Sequence, residues 1–142
     1  MKKRFAALLV VPALALGAGL LAVGTAAAST GDGGGGGSVC RAPKPADGLS
    51  VTTCAEWADT RSAFGKVSTS GSNNTSIDLC VELVDANQNL VPNSRNCQIQ
   101  PGPAGYVQTP TLILAPGVYY VVSYFTSPVY WYGGETPGFP IS

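Results

Sequence analysis

Ser76-Ile77-Asp78-Leu79-Cys80-Val81-Glu82-Leu83-Val84 is the stretch that decides the fold class. Apolar residues at 77, 79, 81 and 83 alternate with Asp78, Cys80 and Glu82. A period of two is what a strand with one buried and one solvated face requires. The alternation puts Cys80 on the polar face. Asp85-Ala86-Asn87-Gln88-Asn89 follows with turn chemistry, and Asn96 to Gln100 returns as a partner strand that carries Cys97.

Outward from this hairpin, short β-branched and aromatic runs separated by Gly, Pro, Asn and Asp predict further strands at Leu49 to Thr53, Ala63 to Thr69, Tyr106 to Leu114, Val118 to Phe125 and Val129 to Tyr132. Pro110 donates no ladder hydrogen bond and so confines its strand to an edge or a bulge. About seven strands in one chain of this length predict an all-β fold, a small disulfide-stapled immunoglobulin-like β-sandwich spanning residues 39–142. Leu114-Ala115-Pro116-Gly117-Val118-Tyr119 resembles the Leu-x-Pro-Gly-x-Tyr approach to a late strand in immunoglobulin-like modules. That resemblance implies a tyrosine hydroxyl tying the corner to nearby backbone. The Cys…Trp…Cys spacing of antibody domains is missing, because Trp57 follows Cys54 by three residues. Trp57 is read as a packing plug beside a disulfide.

The 142 residues allow one ordinary domain. Lys2, Lys3 and Arg4 precede an apolar run from Phe5 to Val23 and the small residues Ala26-Ala27-Ala28, the layout of a secretory signal peptide over residues 1–28. No cysteine follows closely enough to take a lipid, and Gly138 to Ser142 carries no apolar tail, so a secreted, extracellular and unanchored product is expected. Residues 29–142 carry five basic side chains (Arg41, Lys44, Arg61, Lys66 and Arg95) against eight acidic ones, a net charge of −3. Nucleic acid and anionic membrane are therefore poor partners.

Cys40, Cys54, Cys80 and Cys97 in a secreted chain predict two disulfides. Of the three connectivities, Cys40 with Cys54 and Cys80 with Cys97 is favoured, since both close short loops. No C-x-x-C pair occurs, and no metal site is predicted. The chain has no histidine. It therefore lacks the usual general base near neutral pH, any Ser-His or Cys-His pair and any imidazole ligand. Glu56, Asp59, Asp78, Glu82 and Glu135 form no acid/base motif and read as solvated surface. Neither catalysis nor a cofactor is expected.

Two stretches remain for binding. Ser29 to Ser38 is a glycine-rich segment without side chains to bury, expected to be disordered. It reads either as a spacer or as a threading peptide in which Thr30, Gly31, Gly33, Gly34, Gly35, Gly36 and Gly37 enter a narrow partner groove by main-chain hydrogen bonds, anchored by Cys40. Tyr130-Trp131-Tyr132 cannot all face one core, so at least one ring is left exposed for a partner. Alternatively, its outer rings pack under Phe139-Pro140-Ile141.

The Ala/Gly/Val/Pro-rich leader, the glycine-rich stretch and the short β-rich domain together resemble the adaptor subunits of umbrella toxins, small secreted proteins of actinobacteria. The resemblance implies a noncatalytic role bridging one or two larger secreted proteins: Ser29 to Ser38 would thread into the repeat stalk of a large toxin subunit, and the body from Cys40 would dock a lectin subunit. Two rival expectations stand beside it. One is an inhibitor presenting Asn87 to Arg95 or Gly133 to Phe139 to an extracellular hydrolase. The other is a carbohydrate module using Tyr130, Trp131 and Tyr132 as a platform.

Overall fold

The computed structural model describes residues 36–58 and 61–142. The expected signal peptide, residues Thr30, Gly31, Gly33, Gly34 and Gly35 of the glycine-rich stretch, and Asp59 lie outside the described residues. No helix occurs among the described residues. The elements are β1 (Gly37–Cys40), β2 (Lys44–Ala46), β3 (Leu49–Trp57), β4 (Ser62–Gly71), β5 (Ile77–Asp85), β6 (Asn96–Gln100), β7 (Tyr106–Gln108), β8 (Leu112–Ile113), β9 (Gly117–Ser127), β10 (Trp131–Glu135) and β11 (Phe139–Ile141).

They form two antiparallel sheets. In the first, β1 and β2 both pair with one side of β3, β3 pairs with β4, and β7 and β8 share the far side of β4. In the second, β10 and β11 share one side of β9, followed by β5 and β6. Each sheet is thus four strands wide, with broken strands at three of the four edges. This is not the ABED/CFG order of immunoglobulin constant domains, in which the second strand pairs with the fifth; here β3 forms a hairpin with β4. The corner expected at Tyr119 is nevertheless present, its hydroxyl donating to the Ala115 carbonyl at 2.9 Å.

The alternation of β5 holds. Leu79, Val81 and Leu83 are fully buried against Val51, Ala55 and Val67 of the first sheet and Val121 of β9, while Asp78 and Glu82 face outward, half-buried. Cys80 keeps its outward direction but is not solvated: its register partners are Cys97 on β6 and Tyr124 on β9, and these flank the sulfur closely enough to bury it. At Gly65 the sheets approach so closely that a Cβ would stand 2.6 Å from Val121 Cγ1. Beside it Thr53 Oγ1 and Ser123 Oγ, both buried, lie 2.6 Å apart, so each hydroxyl satisfies the other across the core.

The expected strand from Tyr106 to Leu114 splits into β7 and β8 around Pro110, at a sheet edge. The fully buried Thr109 plugs the break, accepting from the Gly65 amide at 3.0 Å and donating to the Pro110 carbonyl at 2.9 Å. Three short edge strands were not expected. β2 turns into β3 through Asp47 and Gly48, both with positive φ (45° and 78°), the backbone that an Asp-Gly hairpin turn demands. β11 returns to pair with Gly117 to Tyr119 of β9. β1 recruits Gly37 and Ser38 from the expected disordered segment, so the ordered body begins at least two residues earlier than 39.

Candidate functional site: the cationic seam and the aromatic strand

The disulfides join Cys40 to Cys54 and Cys80 to Cys97, the nearest-neighbour pairing, each between directly opposed residues of neighbouring strands. The first staples β1 to β3, so the chain emerging from the glycine-rich stretch is tied to the body at once. Local packing dictates glycine here. A Cβ at Gly37 would stand 2.3 Å from the Trp57 indole, and one at Gly36 would stand 2.4 Å from the Trp57 carbonyl oxygen. Trp57 packs across the sandwich onto the second sheet. Its ring stacks on the buried Phe139 of β11, with centroids 5.4 Å apart and planes 7° from parallel.

The aromatic triplet divides as the strand period requires. Trp131 turns inward onto Phe125, with centroids 4.8 Å apart. Tyr130 and Tyr132 stay outside, 65% and 46% exposed. Phe139 and Ile141 do not cover them, since both are buried in the core. Tyr130 leans on Tyr124. The Tyr124 hydroxyl donates to Glu82 Oε2 at 2.9 Å, an oxygen that also accepts from Arg95 Nε at 2.7 Å. Burial, reinforced by that bond to a carboxylate, pushes the Tyr124 phenol up to about 12. Burial and the nearby Glu135 carboxylate raise Tyr132 as well.

Two side chains that the sequence did not single out cross from the first sheet toward β10. Lys44 Nζ donates to the Tyr132 carbonyl at 3.1 Å and lies 5.4 Å from the Trp131 ring centroid, a cation–π distance. Arg41 reaches inward, its Nη2 donating at 3.4 Å to Thr53 Oγ1, with Nη1 close to Gly134. Burial pushes its pKa down, and its buried Nε meets no acceptor among the described residues. Neither cation forms a salt bridge with a described acidic residue; the salt bridges found are Lys66–Glu56 and Arg95–Glu82. Between Tyr132 and Gly134 the register of β10 on β9 shifts, with Gly134 at φ 86°.

At the far end of this seam from Gly36, the sheets part around a cavity of about 240 Å³, walled by Ala46, Leu49, Ile77, Phe125, Val129 and Trp131, with Asp47 and Asn73 at its rim. Its walls are mostly apolar. The remaining acids that the sequence offered are engaged on the surface: Asp78 accepts from Thr126, Glu56 pairs with Lys66, and Glu135 accepts from Gln88. No group of three or more metal-ligating side chains gathers among the described residues. The loop from Asn87 to Arg95 is held down on its sheet. The Asp85 carboxylate accepts from the amides of Asn87 and Asn89, which lowers its pKa, and the buried Ser94 hydroxyl bonds both backbone groups of Leu83. Comparison of the chain with protein-family models, curated proteins and solved structures finds no match.

Proposed function

We propose that this chain is a secreted, noncatalytic binding protein that bridges larger extracellular proteins, with its glycine-rich stretch threading into a groove of one partner and its folded body docking another. One observation carries the reading. The glycine-rich stretch leads directly into an edge strand that is stapled by Cys40–Cys54 and locked under Trp57, so pull on the peptide is transmitted to the body rather than lost in a slack linker. The two disulfides suit an oxidising compartment. The exposed Tyr130 and Tyr132 supply rigid, amphipathic contact area for a docked protein.

The test is co-purification from the producing organism's culture fluid with a tagged copy of the secreted chain. Excising residues 30–35 should abolish capture of one partner while leaving the melting transition unchanged. The cut must stop at Gly35, since Gly36 and Gly37 are packed into the body. Undiminished capture after excision rejects threading, and substrate turnover by the purified protein rejects a noncatalytic role.

A further inference from the structure

The open side of the sandwich, where β2 faces β10, brings together three things that belong together chemically. There is an apolar cavity between the sheets. One wall of it is Trp131, and Lys44 lies over that same ring. Beyond Lys44, Arg41 reaches Gly134, on the far side of the Tyr132 carbonyl to which Lys44 is bonded. Cavity, ammonium and guanidinium therefore follow one another along a single seam.

No described carboxylate forms a salt bridge with either cation on this seam, although Asp47 stands at the cavity rim and Glu135 follows Gly134 on β10. Arg41 donates only one long hydrogen bond, to Thr53, and its Nε faces no acceptor. Lys44 is bonded to a neutral carbonyl. A half-buried cation without a carboxylate gains more from an incoming anion than an exposed one does, because less water competes for it. The chain is otherwise acidic, with a net charge of −3 over residues 29–142, so a local pair of unmatched cations stands out against its own surface.

From this juxtaposition we infer that the seam is a docking groove for an extended segment of a partner protein that places an apolar side chain in the cavity and an acidic side chain two residues further on beside Lys44 and Arg41. The two-residue spacing is part of the proposal and takes its scale from two lengths. Alternate residues of an extended chain point the same way about 6.6 Å apart, comparable to the 5.4 Å that separates the Lys44 ammonium from the centre of the Trp131 ring. The apolar lining argues against a sugar, whose hydroxyls would find few partners there. The inference rests on the reading of the chain as a binding protein, but the groove is distinct from the glycine-rich stretch, so each fails independently.

The experiment is an NMR titration of the full secreted chain with the peptide acetyl-Ser-Leu-Ser-Asp-Ser-amide and with two matched controls, one carrying Asn for Asp and one carrying Ser for Leu. Saturable shifts are expected at the Trp131 indole N–H and at the amides of Ala46 and Ile77. Affinity should fall about fivefold for the Asn peptide, about fivefold for the Lys44→Gln protein, and further with added salt. Lys44 is exposed, so its variant folds; Val129→Ser, at a wall position of the cavity that is 72% exposed, is a second variant that should weaken the Leu peptide and leave the Ser peptide unchanged. The absence of saturable shifts up to millimolar peptide overturns the proposal, as does equal binding of the Asp and Asn peptides. Both results would stand whether or not residues 30–35 prove necessary for partner capture.

Discussion

The two open sides of the sandwich are closed in opposite ways. Where β6 meets β7, neutral amides do the work: Asn96 Nδ2 donates to the Gln108 carbonyl at 2.7 Å, and Gln100 Nε2 to the Tyr106 carbonyl at 3.4 Å. Where β1 and β2 meet β10 and β11, the closure is two cations and one aromatic contact between the sheets, Trp57 on Phe139. Each side also has one disulfide pinning its edge strand, Cys80–Cys97 on β6 and Cys40–Cys54 on β1. The amide seam shows that neutral side chains suffice to close this sandwich. On the opposite seam Lys44 is exposed, and only Arg41 is half-buried, its desolvation offset by no salt bridge with a described acid.

The sharpest way to break the comparison is Phe139→Ala. It removes a fully buried ring that the amide side has no equivalent for, and should cost about 3 to 5 kcal/mol in urea unfolding. The paired replacements Cys40→Ala with Cys54→Ala, and Cys80→Ala with Cys97→Ala, come next. Their sequence separations of 14 and 17 residues put the chain-entropy loss near 3 kcal/mol for either bridge. A difference above about 1 kcal/mol between the two would show that one seam leans on its staple more than the other.

Asn96→Ala should cost about 1 kcal/mol, one net hydrogen bond, and raise amide exchange in β6 and β7 while β1 and β2 stay protected. Alkaline pH supplies a control outside both seams. The Tyr124 phenol is raised in the folded protein to about 12 from an ordinary value near 10, so its contribution is complete below about pH 10 and is lost as pH rises toward 12. Because the ring is only partly covered, the loss should stay below about 1 kcal/mol. Tyr124→Phe should flatten it, and tyrosinate absorbance reports the titration. The smallest effect belongs to Arg41→Met, which keeps the packed stem and removes the unmatched charge. Stability should change by less than about 0.5 kcal/mol or rise slightly, since Thr53 and Ser123 still satisfy one another. A loss near 3 kcal/mol would show that the cation is structural and would weaken the contrast between the seams.

Much of the fold was legible because its signals are local. Period-two alternation located β5, turn chemistry after it located its hairpin partner β6, and β-branched or aromatic runs between turn residues located β3, β4 and β9. Close spacing paired the cysteines, and Pro110 marked a broken edge. The short edge strands escaped for separate reasons. β2 has only three residues, Lys44-Pro45-Ala46, before its Asp47-Gly48 turn, too few to show a period. β11 carries only three residues around Pro140. β1 begins in glycine, which has no side chain to register a pattern, and only its contact with Trp57 reveals why glycine is there. In the aromatic triplet, strand geometry required that the rings divide, but it left open which would be outside.

From its residues alone the chain determined an all-β body and nearest-neighbour bridges, because alternation and loop closure act over a few residues. Only the tertiary structure decided that Trp131 faces inward, that Arg41 and Lys44 lie unmatched at one seam, and that a cavity opens beside them. Those contacts join residues such as Lys44 and Tyr132, 88 positions apart, whose meeting depends on how two sheets stack rather than on any local preference.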